Sequence, residues 1–168
     1  DSVVEAVDGL RRHILRWAGA AEDAASIEPE WSDVLLEQAV TLRRLSCEPP
    51  RTLREAMQLV LLTHSALQLD DRYAMALGRI DQYLYPFYRA DVDAGRIDEA
   101  GAQELFDHLF AKIAHRGDIQ NTCVGGLTAD GGDATNELSY LAVRAAIHIG
   151  QPGANLTARI HAGTPDPF

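Results

Sequence analysis

The sequence of 168 residues predicts an α/β fold that is mostly helical, and three observations support this. Apolar residues recur at helical spacing through most of residues 1–116. After Gly117 the pattern changes to short runs of strand-forming residues separated by glycines. One further helical stretch lies between two such runs, an order that usually produces two parallel strands joined by a crossover helix. We therefore expect one partial domain, with a helical layer over residues 1–116 and a strand–helix–strand unit over residues 117–168.

Two amphipathic helices are expected in the first part of the chain. In the helix over residues 3–21, arginines lie opposite a face of apolar side chains, which are Val3, Val7, Leu10, Ile14 and Trp17. The second helix should begin near Ser32, after the break at Pro29, and end at Leu45. Two arginines fall in its last turn, where the helix dipole favours positive charge.

A third helix is the most apolar of the chain. Thr52 and Glu55 have the spacing of a capping box, in which each side chain satisfies a backbone N–H at the start of a helix. From Leu53 to Leu69 apolar residues cover most of the circumference, so other elements should surround this helix. The remaining residues offer little to surround it with, and we therefore expect it to belong to a larger protein.

Two more helices are predicted before the change of pattern. Residues 79–92 have helical spacing but include Pro86, which should kink the helix, and Gly95 should end it. Asp98 is placed to cap the next helix. That helix has the clearest i, i+3, i+4, i+7 pattern in the chain, formed by Ala102, Leu105, Phe106, Leu109, Phe110 and Ile113.

The second part of the chain supplies the predicted strands. Residues 122–124 form a short strand that runs into the glycine pair Gly125-Gly126. Asp133 is placed to cap a helix that continues to Ile149, and Asn136 and Glu137 could also cap it or hold the loop before it. Residues 155–161 alternate apolar and polar side chains, as expected of a half-buried strand.

Composition argues against several classes of function. The chain carries 25 acidic residues against 15 lysines and arginines, a formal charge of -10, which disfavours binding to nucleic acid. Two distant cysteines suit neither a disulfide framework nor a cysteine-rich zinc site, and they fit a reducing cytoplasm. Neither a membrane span of about 20 apolar residues nor a secretory leader is visible, so neither membrane insertion nor export is expected.

Four sequence blocks are more specific than the periodic patterns. Residues 78–88, GRIDQYLYPFY, resemble a signature of the non-pyruvate branch of the pyruvate formate-lyase type glycyl radical enzymes. Residues 51–58, RTLREAMQ, are similar to a helix start of that family. Gly125-Gly126 with residues 133–138, DATNEL, and residues 152–159, PGANLTAR, resemble two further blocks in the family's order.

This resemblance implies a fold and a chemistry. The family fold is a ten-stranded α/β barrel inside a shell of helices, with a cysteine loop and a glycine loop at its centre. An activase that uses S-adenosylmethionine and an iron–sulfur cluster makes a glycyl radical, and the resulting thiyl radical abstracts hydrogen from a small-molecule substrate. Neither the Gly-Cys-x-Glu nor the Arg-Val-x-Gly-Tyr motif occurs in this chain.

The resemblance therefore suggests a segment of an enzyme that cleaves a C–O, C–N or C–C bond, inactive by itself. No catalytic residue and no cofactor is expected within these residues. The expected partners are the remainder of the enzyme, the activase, the substrate and, in a homodimer, a second copy. The alternative is a non-catalytic structural remnant or binding domain derived from the same fold.

The resemblance also implies which residues line a substrate pocket. In relatives the residue before the pair Gln120 and Asn121 carries an aromatic ring that faces substrate, and here it is Ile119. Some relatives have Gly-His-Ser where this chain has residues 72–74, so Ala74 stands in place of a hydroxyl. The substrate-binding residues are accordingly expected to be Ile119, Gln120, Asn121 and Ala74.

Other conspicuous residues have structural explanations that compete with functional ones. Arg79 and Asp81 resemble a substrate clamp, but such pairs more often hold elements together. Cys47 and Cys123 lack the family's cysteine context, and we expect both to be small core residues.

Glu104 and His108 lie four residues apart on one helical face, with His115 two turns further, but a third ligand at workable spacing is missing, so a solvated polar face is the simpler explanation. We therefore expect no metal site. The glycine pair at 125 and 126 lacks the lysine of a phosphate-binding loop, so a turn or close packing accounts for it.

Overall fold

The computed structural model describes residues 1–69, 74–115, 119–150 and 154–168. Over these ranges it contains seven α-helices and one three-stranded parallel sheet. The helices are α1 (Ser2–Ile27), α2 (Ser32–Leu45), α3 (Leu53–Gln68), α4 (Ile80–Tyr83), α5 (Tyr85–Asp93), α6 (Glu99–His115) and α7 (Glu137–Ile149). The strands are β1 (Ala74–Arg79), β2 (Ile119–Gly125) and β3 (Ala154–Arg159).

Helices α1 and α2 pack against each other as a hairpin, joined by a short 3₁₀ turn. Their shared core is small and consists, with one residue of α3, of Ile14, Ala18, Leu42 and Leu62. The face predicted for α1 is only partly covered, since Val3 is 68% and Trp17 is 49% exposed. The apolar face of α1 is therefore partly presented to the surroundings.

Helix α3 begins as the sequence predicts. The Glu55 N–H donates to the Thr52 hydroxyl oxygen at 3.2 Å, and the Leu53 N–H donates to the buried carboxylate of Asp91 at 2.7 Å. The far end of the helix is less enclosed, because Leu67 and Leu69 remain exposed. A largely apolar groove of about 420 Å³ lies between α3 and β1.

The segment around residue 80 differs from the prediction of one kinked helix over residues 79–92. Strand β1 occupies 74–79, and two short helices follow. Pro86 is at the second position of α5, where the missing N–H costs nothing, so the proline begins a helix instead of kinking one. Strand β1 could not be predicted from the sequence, because the alanines, methionine and leucine in it favour helix. Pairing with β2 overrides that preference.

Helix α6 confirms its predicted start and face. The Gly101 N–H donates to the Asp98 carboxylate at 2.8 Å. The six predicted apolar positions are all buried, namely Ala102, Leu105, Phe106, Leu109, Phe110 and Ile113. This helix forms the centre of the main core.

The sheet has the strand order β1-β2-β3, and both pairings are parallel. Strand β2, helix α7 and strand β3 form the predicted crossover unit. Of the candidate caps of α7 the structure uses Asn136 and not Asp133, because the Asn136 side chain accepts from the Leu138 N–H while the Ser139 hydroxyl accepts from the Asn136 N–H.

The main core lies between the helices and one face of the sheet. Leu77, Val124 and Leu156 contribute one side chain from each strand. Because β1 belongs to the sheet yet precedes residue 116, the predicted division into a helical layer and a strand unit at that residue does not hold. Sheet and helices are interleaved along the chain.

Candidate substrate-facing wall

The two faces of the sheet have different surroundings. Side chains alternate along a strand, so those flanking Leu77, Val124 and Leu156 point away from the helical core. We call this second side the open face. Its described side chains are Ala74, Ala76, Asn121, Cys123, Asn155 and Thr157, with Arg79 and Arg159 at the carboxyl ends of their strands.

Strand register brings most of the predicted pocket residues together. Ala74 pairs with Ile119, and Ala76 pairs with Asn121, which in turn pairs with Asn155. The Asn155 amide nitrogen lies 3.5 Å from the Asn121 amide oxygen. The side chain of Ile119 lies outside the described part of the structure, so its placement here concerns the backbone.

Gln120 does not lie on the open face with Asn121. Its side chain is 1% exposed and lies on the helix side of β2, together with Thr122 and Val124. Among the described residues, neither amide atom of Gln120 nor the Thr122 hydroxyl has a hydrogen-bond partner. Adjacent strand residues face opposite sides, so a pocket on the open face can include only one of the pair. Gln120 therefore lies on the opposite side of the sheet from Asn121.

Arg79 and Asp81 hold the end of β2. The Arg79 guanidinium donates to the carbonyl oxygens of Leu127 at 3.0 Å and Gly125 at 2.9 Å. The fully buried Asp81 carboxylate accepts from the Gly125 N–H and from the Ser139 hydroxyl, both at 2.6 Å. These contacts support the structural explanation of the pair over a substrate clamp.

The sequence block at 78–88 contacts the block at 133–138. Asn136 donates to the Asp81 carbonyl at 3.0 Å, and Gln82 donates to the Ala134 carbonyl at 2.8 Å. At the surface, the Tyr85 hydroxyl donates to the Glu137 carboxylate at 2.9 Å. Two blocks that are distant in sequence thus form one hydrogen-bonded junction that carries the sheet.

The glycine pair serves a turn between closely packed backbones. Gly125 has φ of 69° and Gly126 has φ of 88°, values that favour glycine. A Cβ atom at Gly125 would lie 3.1 Å from the Arg159 carbonyl oxygen. The packing explanation therefore accounts for both residues.

A histidine–aspartate pair joins the loops that follow β2 and β3. The Gly163 N–H donates to His161 Nδ1 at 3.1 Å, so Nε2 carries the proton that is donated to Asp133 at 3.0 Å. Partial burial alone would raise the pKa of Asp133, but hydrogen bonds from Thr135 and His161 lower it below its usual value. The sequence pattern predicted His161 to be a strand residue. Nothing in that pattern indicated a pair with Asp133, which lies 28 residues earlier.

Both cysteines are free thiols. Cys47 is exposed at the end of α2, which corrects its expected place in a core, and Cys123 is half-buried on the open face. No group of three or more potential metal ligands forms within the ranges that the structure describes. No helix in those ranges is long and apolar enough to cross a bilayer.

Comparison with known proteins identifies the class. A family model described as pyruvate formate lyase-like matches residues 1–168. The chain belongs to this family of glycyl radical enzymes, within its dehydratase and lyase branch.

The relatives are much longer than this chain. It is 31% identical to the probable dehydratase YbiW of Escherichia coli, covering 95% of this chain and 22% of that protein. It is 30% identical to the 4-hydroxyphenylacetate decarboxylase glycyl radical subunit of Clostridioides difficile, covering 100% of this chain and 21% of the relative. The chain thus spans about a fifth of the length of these curated relatives.

Solved structures agree with the fold. The B12-independent glycerol dehydratase of Clostridium butyricum, in its glycerol-bound form, superposes with a TM-score of 0.84 at 30% identity, over 95% of this chain and 22% of that one. A structure concerning 1,2-propanediol dehydration in Roseburia inulinivorans gives a TM-score of 0.85 at 29% identity, with the same coverage of 95% and 22%.

Proposed function

We propose that these residues form part of the barrel wall of a glycyl radical enzyme that cleaves a C–O, C–N or C–C bond in a small molecule. The observation that carries this proposal is the junction of Arg79, Asp81 and Asn136, which assembles the family's sequence blocks around a sheet with one uncovered face. The relatives' names support a dehydratase or lyase reaction.

In this proposal Ala74, Ile119 and Asn121 contact substrate, while Gln120 supports the strand from the helix side. The register that pairs Ala74 with Ile119 supports a shared patch of wall. Ala74 carries no hydroxyl, so this part of the wall offers substrate only a methyl group. The substrate class includes small hydroxylated molecules, such as the glycerol and 1,2-propanediol named for two solved relatives.

The residues that would carry out the radical chemistry are absent from this sequence. Neither Cys47 nor Cys123 has the required sequence context, and no glycine lies in the radical motif. These residues therefore do not include the glycine that would carry the radical. The glycyl radical loop, the thiyl cysteine and a docking surface for the S-adenosylmethionine activase would lie on further polypeptide. A homodimer and a cytoplasmic location complete the proposal, the latter because both thiols are free.

Electron paramagnetic resonance tests this function. The full polypeptide encoded by the gene would be treated anaerobically with a glycyl radical activase, reductant and S-adenosylmethionine. A doublet signal from a glycyl radical is the expected result. Absence of the signal, in a preparation where a related enzyme is activated in parallel, would instead favour a non-catalytic remnant of the fold.

A further inference from the structure

Hydrogen-bonding groups are distributed unevenly across the open face. Near the start of the sheet, strand β1 contributes the methyl groups of Ala74 and Ala76, and its Arg79 lies at the far end. Across from Ala76, strands β2 and β3 place Asn121 and Asn155 side by side. The polar side of this wall therefore lies between β2 and β3.

The two amides are hydrogen-bonded to each other and still have unused donors and acceptors. Asn155 donates one N–H toward the Asn121 oxygen, at a distance of 3.5 Å. An amide has two N–H donors and an oxygen with two lone pairs. The Asn121 nitrogen and the Asn155 oxygen thus remain able to donate and accept toward a group above the sheet, and both residues are exposed.

Two paired strands hold these amides in place. Asn121 and Asn155 are register partners within a continuous parallel pairing that runs from Gln120 to Gly125. Sites built on strands are more rigid than sites on loops, so the relative position of the two amides is set before a ligand arrives.

The amide pair lies away from the charged carboxyl ends of the strands on the open face. Its neighbouring side chains are alanine, cysteine and threonine, whereas Arg159 lies further along β3 with its side chain against Gly126, and Arg79 donates to the carbonyl oxygens of Leu127 and Gly125. A carboxylate or sulfonate held at the amide pair would lose hydration without an opposing charge beside it. A hydroxyl or carboxamide could both accept from one amide and donate to the other.

We propose that Asn155, together with Asn121, binds an uncharged hydrogen-bonding group of the substrate, either a hydroxyl or a carboxamide. The small side chain of Ala76 leaves room beside the pair on β1. This inference rests on the proposed function, because it takes the open face to be the substrate side. It also makes Asn155 a specificity-determining residue, although it lies outside the set expected from the sequence.

Binding to the full polypeptide without its radical tests this inference. The probes are glycerol and the sulfonate isethionate, and binding is measured by saturation-transfer NMR titration. We expect glycerol to bind, and Asn155→Leu and Asn121→Leu each to weaken its binding at least tenfold. Asn155→Ser, which puts a shorter hydrogen-bonding hydroxyl in place of the amide, should retain part of the affinity that Asn155→Leu loses.

Thr157→Val is the matched control, because Thr157 is the next residue along β3 on the same face. It should change glycerol affinity less than twofold, and thermal melting would verify that each variant is folded. Failure of glycerol to bind, unchanged affinity in folded Asn155→Leu, or preferential isethionate binding that is insensitive to both asparagines would overturn the inference.

The two proposals can fail separately. A glycyl radical signal together with unchanged glycerol binding in Asn155→Leu contradicts only the role of Asn155. Binding of glycerol that depends on Asn155, in a protein that never forms the radical, contradicts only the proposed enzyme activity.

Discussion

The α1–α2 hairpin and the sheet with α4–α7 differ in how each buries its apolar residues. The hairpin shares a core of only four residues with α3 and leaves many large apolar side chains exposed, among them Val3, Val7, Trp17, Trp31, Val34 and Val40. The sheet and its helices bury a far larger cluster centred on Phe106 and Phe110. Three of the four family blocks, which begin at residues 78, 125 and 152, lie in this second region.

This difference indicates which region is stable by itself. Burial of apolar surface is the main source of folding free energy, so the sheet region should hold its structure, whereas the hairpin depends on being covered. A helical hairpin with an exposed apolar face is expected in a protein whose relatives are several times longer.

Removing a central core side chain should have the largest effect. Phe106 is fully buried, and Phe106→Ala should lower the free energy of unfolding by about 3–5 kcal/mol, through lost burial and the cavity left behind. Val40 in the hairpin is 69% exposed, so Val40→Ala should change the free energy of unfolding by about 0.5 kcal/mol or less. Urea unfolding of both variants checks this, and equal losses would contradict the distinction between the regions.

Breaking the junction should have the next largest effect. Asp81→Ala leaves the Gly125 N–H and the Ser139 hydroxyl without their buried acceptor, and we expect a loss of about 2–4 kcal/mol. Asp93→Ala removes an exposed pair with Arg89 and should cost about 1 kcal/mol or less. Denaturant titration compares them. A loss for Asp81→Ala no greater than that for Asp93→Ala would show that the junction does not support the sheet.

The smallest effect concerns pH. The folded-state pKa of Asp133 is lowered, so its ionised form stabilises the fold above the unfolded value of about 4. That contribution is lost as the pH falls through the folded-state pKa. Asp133→Asn should therefore flatten the acid side of the stability profile below about pH 4. An unaltered acid profile would show that ionised Asp133 does not stabilise the fold.

Sequence reasoning succeeded where local patterns and packing agree. The face of α6 and the cap of α3 were predictable, because apolar spacing and capping residues act within one or two turns. Strand β1 was not, since its residues prefer helix and only pairing with β2 makes them extended.

The strand positions of the expected site residues were predictable in part, while their contact with substrate stays a prediction. The resemblance pointed to Asn121 and Ala74, and register brings them to one face. It grouped Gln120 with them, although strand alternation separates adjacent residues. Asn155 and the pair of His161 with Asp133 depend on contacts between distant segments, which one sequence does not encode in a readable pattern.

Hydrogen–deuterium exchange of the 168-residue chain, resolved by peptide, tests the comparison of the two regions most directly. Backbone amides in α6, β2 and α7 should exchange slowly, near the rate set by global unfolding, while those of α1 and α2 should exchange much faster. Protection of α1 and α2 equal to or greater than that of α6, β2 and α7 would contradict the account.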